Sequence, residues 1–280
     1  MEEQVLVFYD SGIDVDHITR SKEYVHIVPN NIKLDDNVLI DNDTINTEEI
    51  FQYYNNTHKL PCIIPPNSHE LFSVFTRFIH TGCHVIYFTT SKTMFPNYDN
   101  GISFATAYNK LHVVDTLSIG IGAGLLIHEV CKLIDSGEKL YTILSDCTML
   151  ACKNKYMIYQ SNLQYISKQK LFKCNSTLLT LMGKIPVIEI KEGKVDLSRH
   201  IPLNRYTMYE SFLTDSIAFA KEDKPTLLLI GYTDLSEEVR TAFKEFINNE
   251  LFGAEVIFVK QNGFTSVLYG ENSITFAWNR

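Results

Sequence analysis

No run of apolar residues reaches the ~18 needed to cross a bilayer as a helix, which excludes a membrane-spanning helix. The opening Met-Glu-Glu-Gln is not a basic segment followed by an apolar one, so no secretory signal is expected. Basic clusters are missing as well. Lys168, Lys170 and Lys173 form the densest group and read as a solvated face, while the formal net charge is −8. That balance argues against nucleic acid as the main partner, because phosphate contacts need gathered Lys and Arg. The six cysteines (Cys62, Cys83, Cys131, Cys147, Cys152, Cys174) never fall in a C-x-x-C pair. With no signal expected, this predicts reduced thiols and a cytoplasmic protein. No His stands near Cys147 and Cys152, so no metal site is expected there. G-x-S-x-G, H-E-x-x-H, G-x-G-x-x-G and the G-K-[ST] loop are all absent, which removes the common hydrolase, metalloenzyme and nucleotide-loop signatures.

What remains is ordinary globular composition: 280 residues, 45% hydrophobic and 21% charged, enough for two lobes. The most informative stretch is VLVFYDSGIDV, Val5 to Val15. Its apolar start reads as a strand buried on both faces, and Asp10-Ser11-Gly12 turns the chain at the strand's carboxyl end. In open α/β sheets that edge is where ligands bind. Tyr24–Val28, Val38–Ile40, His84–Phe88 and Leu111–Val114 read as further strands. Asn46 or Thr47 starts one helix, and Asn67-Ser68-His69-Glu70 starts another with Leu71, Val74, Phe75 and Phe78 at helical spacing. A helix from about Ser118 to Asp135 carries Gly120, Gly122 and Gly124 near its start. This alternation predicts an α/β lobe with a mainly parallel sheet flanked by helices.

The second half changes character. Glu192-Gly193-Lys194 reads as a hairpin turn joining Val187–Ile190 to Val195–Leu197. A helix over Tyr206–Ala220, a strand Thr226–Gly231, a helix Ser236–Asn249, and strands Glu255–Val259 and Ile274–Ala277 follow. The order predicts an α+β lobe with a mixed or antiparallel sheet. The division is expected as 1–160 and 161–280.

The spaced glycines do not match a nucleotide fingerprint, so close packing of their helix is the better reading, although its first N–H groups are free to meet an anion. Asp10, Asp115 and Ser11 are read as turn formers rather than catalytic groups. The nine histidines are scattered and read as surface or satisfied core residues. A hydrolase using Ser11 or Ser91 is disfavoured because no general base can be named.

Taken together, Tyr9-Asp10-Ser11-Gly12-Ile13-Asp14, Val28-Pro29, Leu60-Pro61 with Pro66 and Glu70-Leu71, Val114-Asp115-Thr116-Leu117-Ser118, Lys184-Ile185-Pro186-Val187 and Glu192-Gly193-Lys194 occur in the order seen in DegV-like proteins. Nearly the whole chain resembles that family, whose fatty-acid-binding members serve bacterial fatty acid kinases. The resemblance implies a non-enzymatic protein whose ligand is a long-chain fatty acid or related lipid, with no other cofactor. Its acyl chain would lie in the second lobe and its carboxylate at the interface, presented to a fatty acid kinase subunit.

The family's carboxylate-holding loops read Thr-Ser-Gln-Pro-Ser and Ser-Gly-Thr followed by an aromatic. The matching residues here are Ile63-Ile64-Pro65-Pro66-Asn67 and Phe95-Pro96-Asn97, with Tyr98 keeping the aromatic. Gly-Gly-Arg becomes Gln169-Lys170-Leu171, and His-x-Gly-Pro-Gly becomes Tyr269-Gly270-Glu271-Asn272-Ser273. The head-group positions implied are therefore Ile63, Ile64, Phe95 and Asn97. Candidate compensating polar groups are Ser11, Thr89, Thr90, Ser91, Thr93, Arg205 and Tyr269. A buried carboxylate without hydrogen bonds costs several kcal/mol, so ordinary fatty-acid binding is expected to be weakened unless these groups act. The alternative is a divergent member that has lost fatty-acid binding and takes another lipid or acts as a scaffold.

Overall fold

The computed structural model describes residues 4–42, 45–160, 162–173, 175–202 and 208–279. The chain runs β1 (Val5–Asp10), α1 (His17–Arg20), β2 (Val25–Val28), β3 (Asn31–Leu34), β4 (Asn37–Ile40), α2 (Thr47–Thr57), β5 (Cys62–Ile64), α3 (Ser68–Ile79), β6 (His84–Thr89), α4 (Asn97–Ala105), β7 (Leu111–Asp115) and α5 (Gly120–Asp135). It continues through α6 (Leu140–Lys153), β8 (Lys155–Tyr159), α7 (Leu163–Lys168), α8 (Ser176–Leu181), β9 (Lys184–Lys191) and β10 (Lys194–Pro202). Then come α9 (Met208–Asp223), β11 (Leu227–Tyr232), α10 (Glu237–Glu250), β12 (Glu255–Lys260), α11 (Gly263–Tyr269) and β13 (Ile274–Trp278).

The apolar runs of β1 and β6 become the two central strands of a parallel sheet ordered β2-β1-β6-β7. Continuous apolar strands need cover on both faces. One face packs with Ala123, Leu126, Ile127 and Val130 of α5 and Ile143 and Cys147 of α6. The other packs with Leu71 and Phe75 of α3. Local chemistry starts the helices where the sequence predicts: the Asn46 side chain caps α2, and Asn67 with Glu70 forms a capping box on α3.

The second sheet is ordered β10-β9-β8-β13-β11-β12. Only β11 and β12 pair in parallel; the other neighbours are antiparallel. The predicted hairpin is present, with Glu192 at φ 48° and Gly193 at φ 80°, the left-handed pair that a two-residue turn between twisted strands requires. One face of this sheet packs against α9 and α10 through Phe212, Ile217, Phe243 and Ile247. The other faces the first lobe and carries the cluster around Tyr156, Phe172, Phe264 and Tyr269.

One expected strand lies elsewhere. Val38–Ile40 belongs to a separate antiparallel sheet ordered β4-β3-β5 rather than to the parallel sheet. Val38 and Ile40 are exposed, so their apolar character reports an outer strand and not a buried one. Strand β8 pairs with β9 and β13 in the second sheet although it lies ahead of residue 160.

Candidate functional site

The site is built where β1 ends. Asp10 turns the chain on itself: its Oδ1 accepts from Gly12 N at 2.8 Å, and its Oδ2 accepts from Thr90 N at 2.7 Å and Thr90 Oγ1 at 3.2 Å. This joins the carboxyl ends of β1 and β6. Ser11 Oγ accepts from Asn30 N and Nδ2, both at 2.9 Å, and bonds to Asp41. Asp115 plays the same part after β7, accepting from Leu117 N at 3.0 Å. The turn-forming reading of Asp10, Ser11 and Asp115 therefore fits the geometry.

Two further buried carboxylates hold α11, the short helix that plugs the space between the lobes. Asp41 accepts from Gly263 N at 2.9 Å and Phe264 N at 3.0 Å. Asp14 accepts from Asn262 N at 2.8 Å and Thr265 Oγ1 at 3.0 Å. Burial pushes Asp10 and Asp14 up to about 7 and Asp41 up to about 6, opposed by these hydrogen bonds. Sequence reasoning passed over Asp14 and Asp41. Asp14 sits in the stretch singled out first, but its partner lies 248 residues away.

The three spaced glycines are a packing device. A Cβ on Gly120, whose φ is +55°, would stand 2.5 Å from the Tyr156 hydroxyl, and one on Gly122 would stand 2.7 Å from Tyr156 Cγ. A Cβ on Gly124 would stand 2.1 Å from the Asp14 carbonyl oxygen. The first N–H groups of α5 are taken internally, Gly120 N by the Gly12 carbonyl and Ile121 N by the Tyr156 hydroxyl. Close approach of α5 to both lobes accounts for the motif.

The residues named from sequence separate into three places. Ile63 and Phe95 come together: both pack against the interface cluster with Met94 and Leu171, and Phe95 meets Phe264 edge to face with ring centroids 4.7 Å apart. Ile64 points the other way, as strand alternation in β5 demands, and is exposed. Asn97 is buried at the start of α4, its Nδ2 donating to Asn30 Oδ1 at 3.1 Å. Thr89 Oγ1 donates to the Val114 carbonyl at 3.3 Å.

Ser91 and Thr93 reach across to the second lobe. Both hydroxyls donate to the carbonyl of Gly193 at the tip of the β9–β10 hairpin, Ser91 at 3.0 Å. A side chain at position 193 would crowd this contact, since a Cβ on Gly193 would stand 2.6 Å from Ser91 Oγ. Tyr269 is buried, and its hydroxyl accepts from Tyr156 OH at 2.9 Å. Arg205 lies outside the described residues. Among the described residues no group of three or more His, Cys, Asp and Glu is placed to hold a metal.

Among the described residues the most buried histidine, His128, is a core residue bonded through one ring nitrogen while its Nε2 is buried without a partner. His128 Nδ1 lies 2.9 Å from Asp16 Oδ2 and 3.0 Å from Thr19 Oγ1, tying α1 to α5. Burial works against Asp16, yet the hydrogen bonds from His128 and Thr19 hold its carboxyl down at about 2.

A parallel α/β sheet and a mixed sheet meeting over an apolar cluster, with strand-end turns and a hairpin tip closing the seam, define a two-lobe α/β protein with its candidate site between the lobes. The family model described as an uncharacterised protein of the DegV family matches residues 4–279, and the chain belongs to that family. A DegV domain-containing protein of Clostridium acetobutylicum is 20% identical over 209 residues, 72% of this chain and 74% of that one. A structure described as fatty acid binding of a DegV family protein from Thermus thermophilus matches with a TM-score of 0.85 at 19% identity, covering 99% of this chain and 100% of that one. A stearic acid-binding protein from Eubacterium ventriosum matches with a TM-score of 0.85 at 20% identity, covering 99% and 98%. The Streptococcus pneumoniae fatty acid kinase B3 protein loaded with linoleic acid matches with a TM-score of 0.82 at 15% identity, covering 99% of each chain. At these identities the structures establish the shared fold.

Proposed function

We propose that this protein binds the hydrocarbon chain of a long-chain fatty acid or related lipid, without catalysing a reaction on it. The tail lies along the cluster between the second sheet and α5, α7 and α11, and the head group lies at the lobe interface beside Ile63 and Phe95. Asn97 stands behind that interface, and Ser11, Thr89, Thr90, Ser91, Thr93 and Tyr269 frame it. The lipid is the ligand, and no other cofactor belongs to the reading. The lobes divide as 1–160 and 161–280, with β8 contributed by the first segment to the second sheet. Among the described residues Cys62, Cys83, Cys131, Cys147 and Cys152 are free thiols, which supports a reducing cytoplasmic setting.

The observation that carries the reading is the apolar cluster itself. Ile188, Ile190, Leu229, Phe172, Phe264 and Tyr269 form one buried surface that continues to Ile63, Met94 and Phe95 at the seam. A seam between lobes is a place where a ligand can be enclosed by a small separation of pre-formed walls. Native mass spectrometry of protein made in a bacterial host tests it. The expected result is one long-chain lipid per chain. Protein that emerges empty and stays empty after exposure to lipid overturns the reading and favours a scaffold role.

A second reading, in which the lipid is handed to a fatty acid kinase, is favoured by the likeness to the kinase B3 protein. Phosphoryl transfer would belong to the partner, since no nucleotide-loop motif is present in this chain. It requires a free carboxylate as acceptor, and formation of acyl phosphate by the kinase with this chain as lipid donor is its test.

A further inference from the structure

We propose that the head-group end of this site takes an uncharged head group, an ester, an alcohol or a protonated acid, in preference to an ionised carboxylate. The proposal rests on the acyl-binding reading and assigns the head-group class for that site.

The lining comes first. Ile63, Met94, Phe95 and Leu171 pack on Phe264 and Phe172, so the wall at the seam is hydrocarbon and aromatic. The hydroxyls around it are engaged. Ser91 and Thr93 donate to Gly193 O, Thr90 to Asp10, and Ser11 meets Asn30 and Asp41, while Tyr269 pairs with Tyr156. Recruiting Ser11, Thr90, Ser91 or Thr93 to a carboxylate breaks a buried bond elsewhere, whereas the Tyr269 hydroxyl only accepts from Tyr156 and the buried Ser266 Oγ on α11 has no partner among the described residues.

The fixed charges nearest Phe264 are acids. Asp41 accepts the Phe264 N–H itself. The position a Cβ would take on Gly12 lies 2.8 Å from Asp10 Oδ1 and 3.0 Å from Phe264 Cζ, so the carboxylate and the ring tip flank the same point at the Gly12 turn. Asp14 holds the same helix through Asn262 and Thr265. All three carboxylates are buried, and once they ionise above about pH 7 a further negative charge beside them meets repulsion in a low dielectric.

Cations on the neighbouring segments face elsewhere. Lys92 lies toward Asp115 and over Tyr98, and Lys168 bonds the His58 carbonyl over the Tyr54 ring. Lys191 sits between Glu189 and Asp196. Lys170, Lys173 and Lys194 are exposed. His17 and Arg20 line a cleft beside Lys260 whose wall also takes in Asp14 and Asn262, and the Arg20 charge acts there on the Asp14 carboxylate. An apolar wall, engaged donors and an acidic surround together favour a head group that carries no charge.

The test offers delipidated full-length protein equal amounts of hexadecanoic acid, methyl hexadecanoate and hexadecan-1-ol. Bound lipid is extracted and quantified, and each uptake is normalised to partition into phosphatidylcholine vesicles at the same pH. At pH 8 the ester and the alcohol should exceed the acid by at least about tenfold. The acid's share should climb on lowering the pH, because the protonated form is the one bound and because Asp10, Asp14 and Asp41 lose their charge in the same range. An equal or larger share of acid at pH 8 overturns the proposal while leaving acyl binding intact. Uptake of none of the three overturns the acyl-binding reading and the proposal with it. In a second arm, Asp41→Asn is checked for native circular dichroism and offered the same mixture at pH 8. A larger acid share supports the role of the acidic surround, and an unchanged share removes it.

Discussion

At the scale of single residues, space decides more than chemistry. Gly124→Ala drives a methyl group into the Asp14 carbonyl, whereas Gly137 has open space around it and only a positive φ of 78° to object. Gly124→Ala should therefore cost roughly 3 kcal/mol or more and Gly137→Ala about 1 kcal/mol, compared by urea denaturation. The same logic separates two neighbouring isoleucines that sequence alone treats as equals. Ile63 faces the seam and Ile64 faces solvent. Ile63→Thr should raise affinity for a free fatty acid by about tenfold through one added charge-assisted hydrogen bond, while Ile64→Ser should leave it unchanged. Competition binding of hexadecanoic acid distinguishes them, and equal effects would mean that strand alternation does not govern access to the seam.

At the scale of elements, the β9–β10 hairpin acts as a latch. Its tip lies buried against the loop after β6, where two hydroxyls share one carbonyl. Removing one donor leaves the other in place, so Ser91→Ala and Thr93→Val should each cost little. The double variant leaves the Gly193 carbonyl unpaired and should cost about 1–3 kcal/mol, more than the sum of the singles. Amide exchange at residues 192–194 should accelerate in the double variant alone. The hairpin was legible from Glu192-Gly193-Lys194, because turn chemistry is local. Its docking was not, because Ser91 is 102 residues distant and no sequence spacing encodes that contact.

At the scale of the molecule, the seam carries the pH response. Asp10, Asp14 and Asp41 titrate at about 7, 7 and 6 in the fold, above the ordinary carboxylate value, so the folded state binds protons more tightly than the unfolded chain. Their contribution is present below about pH 4 and is lost as pH rises through 6 to 7. Asp16, held at about 2, contributes above the ordinary carboxylate range and loses that contribution as pH falls toward 2. Burial lowers His26 and His112, which weakens the fold as pH drops through the imidazole range. The clean measurement is thus a difference: the decline in urea midpoint of the wild type from pH 5.5 to 8 should be shallower in Asp41→Asn. Parallel curves for the two proteins would mean that Asp41 is not a source of the slope.

Much of the architecture was legible before any coordinates. Apolar runs identify β1 and β6, side-chain caps identify the starts of α2 and α3, and Gly193 identifies a hairpin, because burial, capping and turn geometry are properties of a few adjacent residues. The order of the strands, the displacement of β4 into its own sheet, and the gathering of Asp10, Asp14 and Asp41 around α11 depend on contacts between distant segments. So does the commitment of each candidate hydroxyl to a partner in the other lobe or loop. Sequence alone therefore determined which elements form and which positions had turned apolar. The tertiary structure decided which of those positions share a wall and what charge surrounds it, since proximity across the fold is set by packing rather than by spacing along the chain.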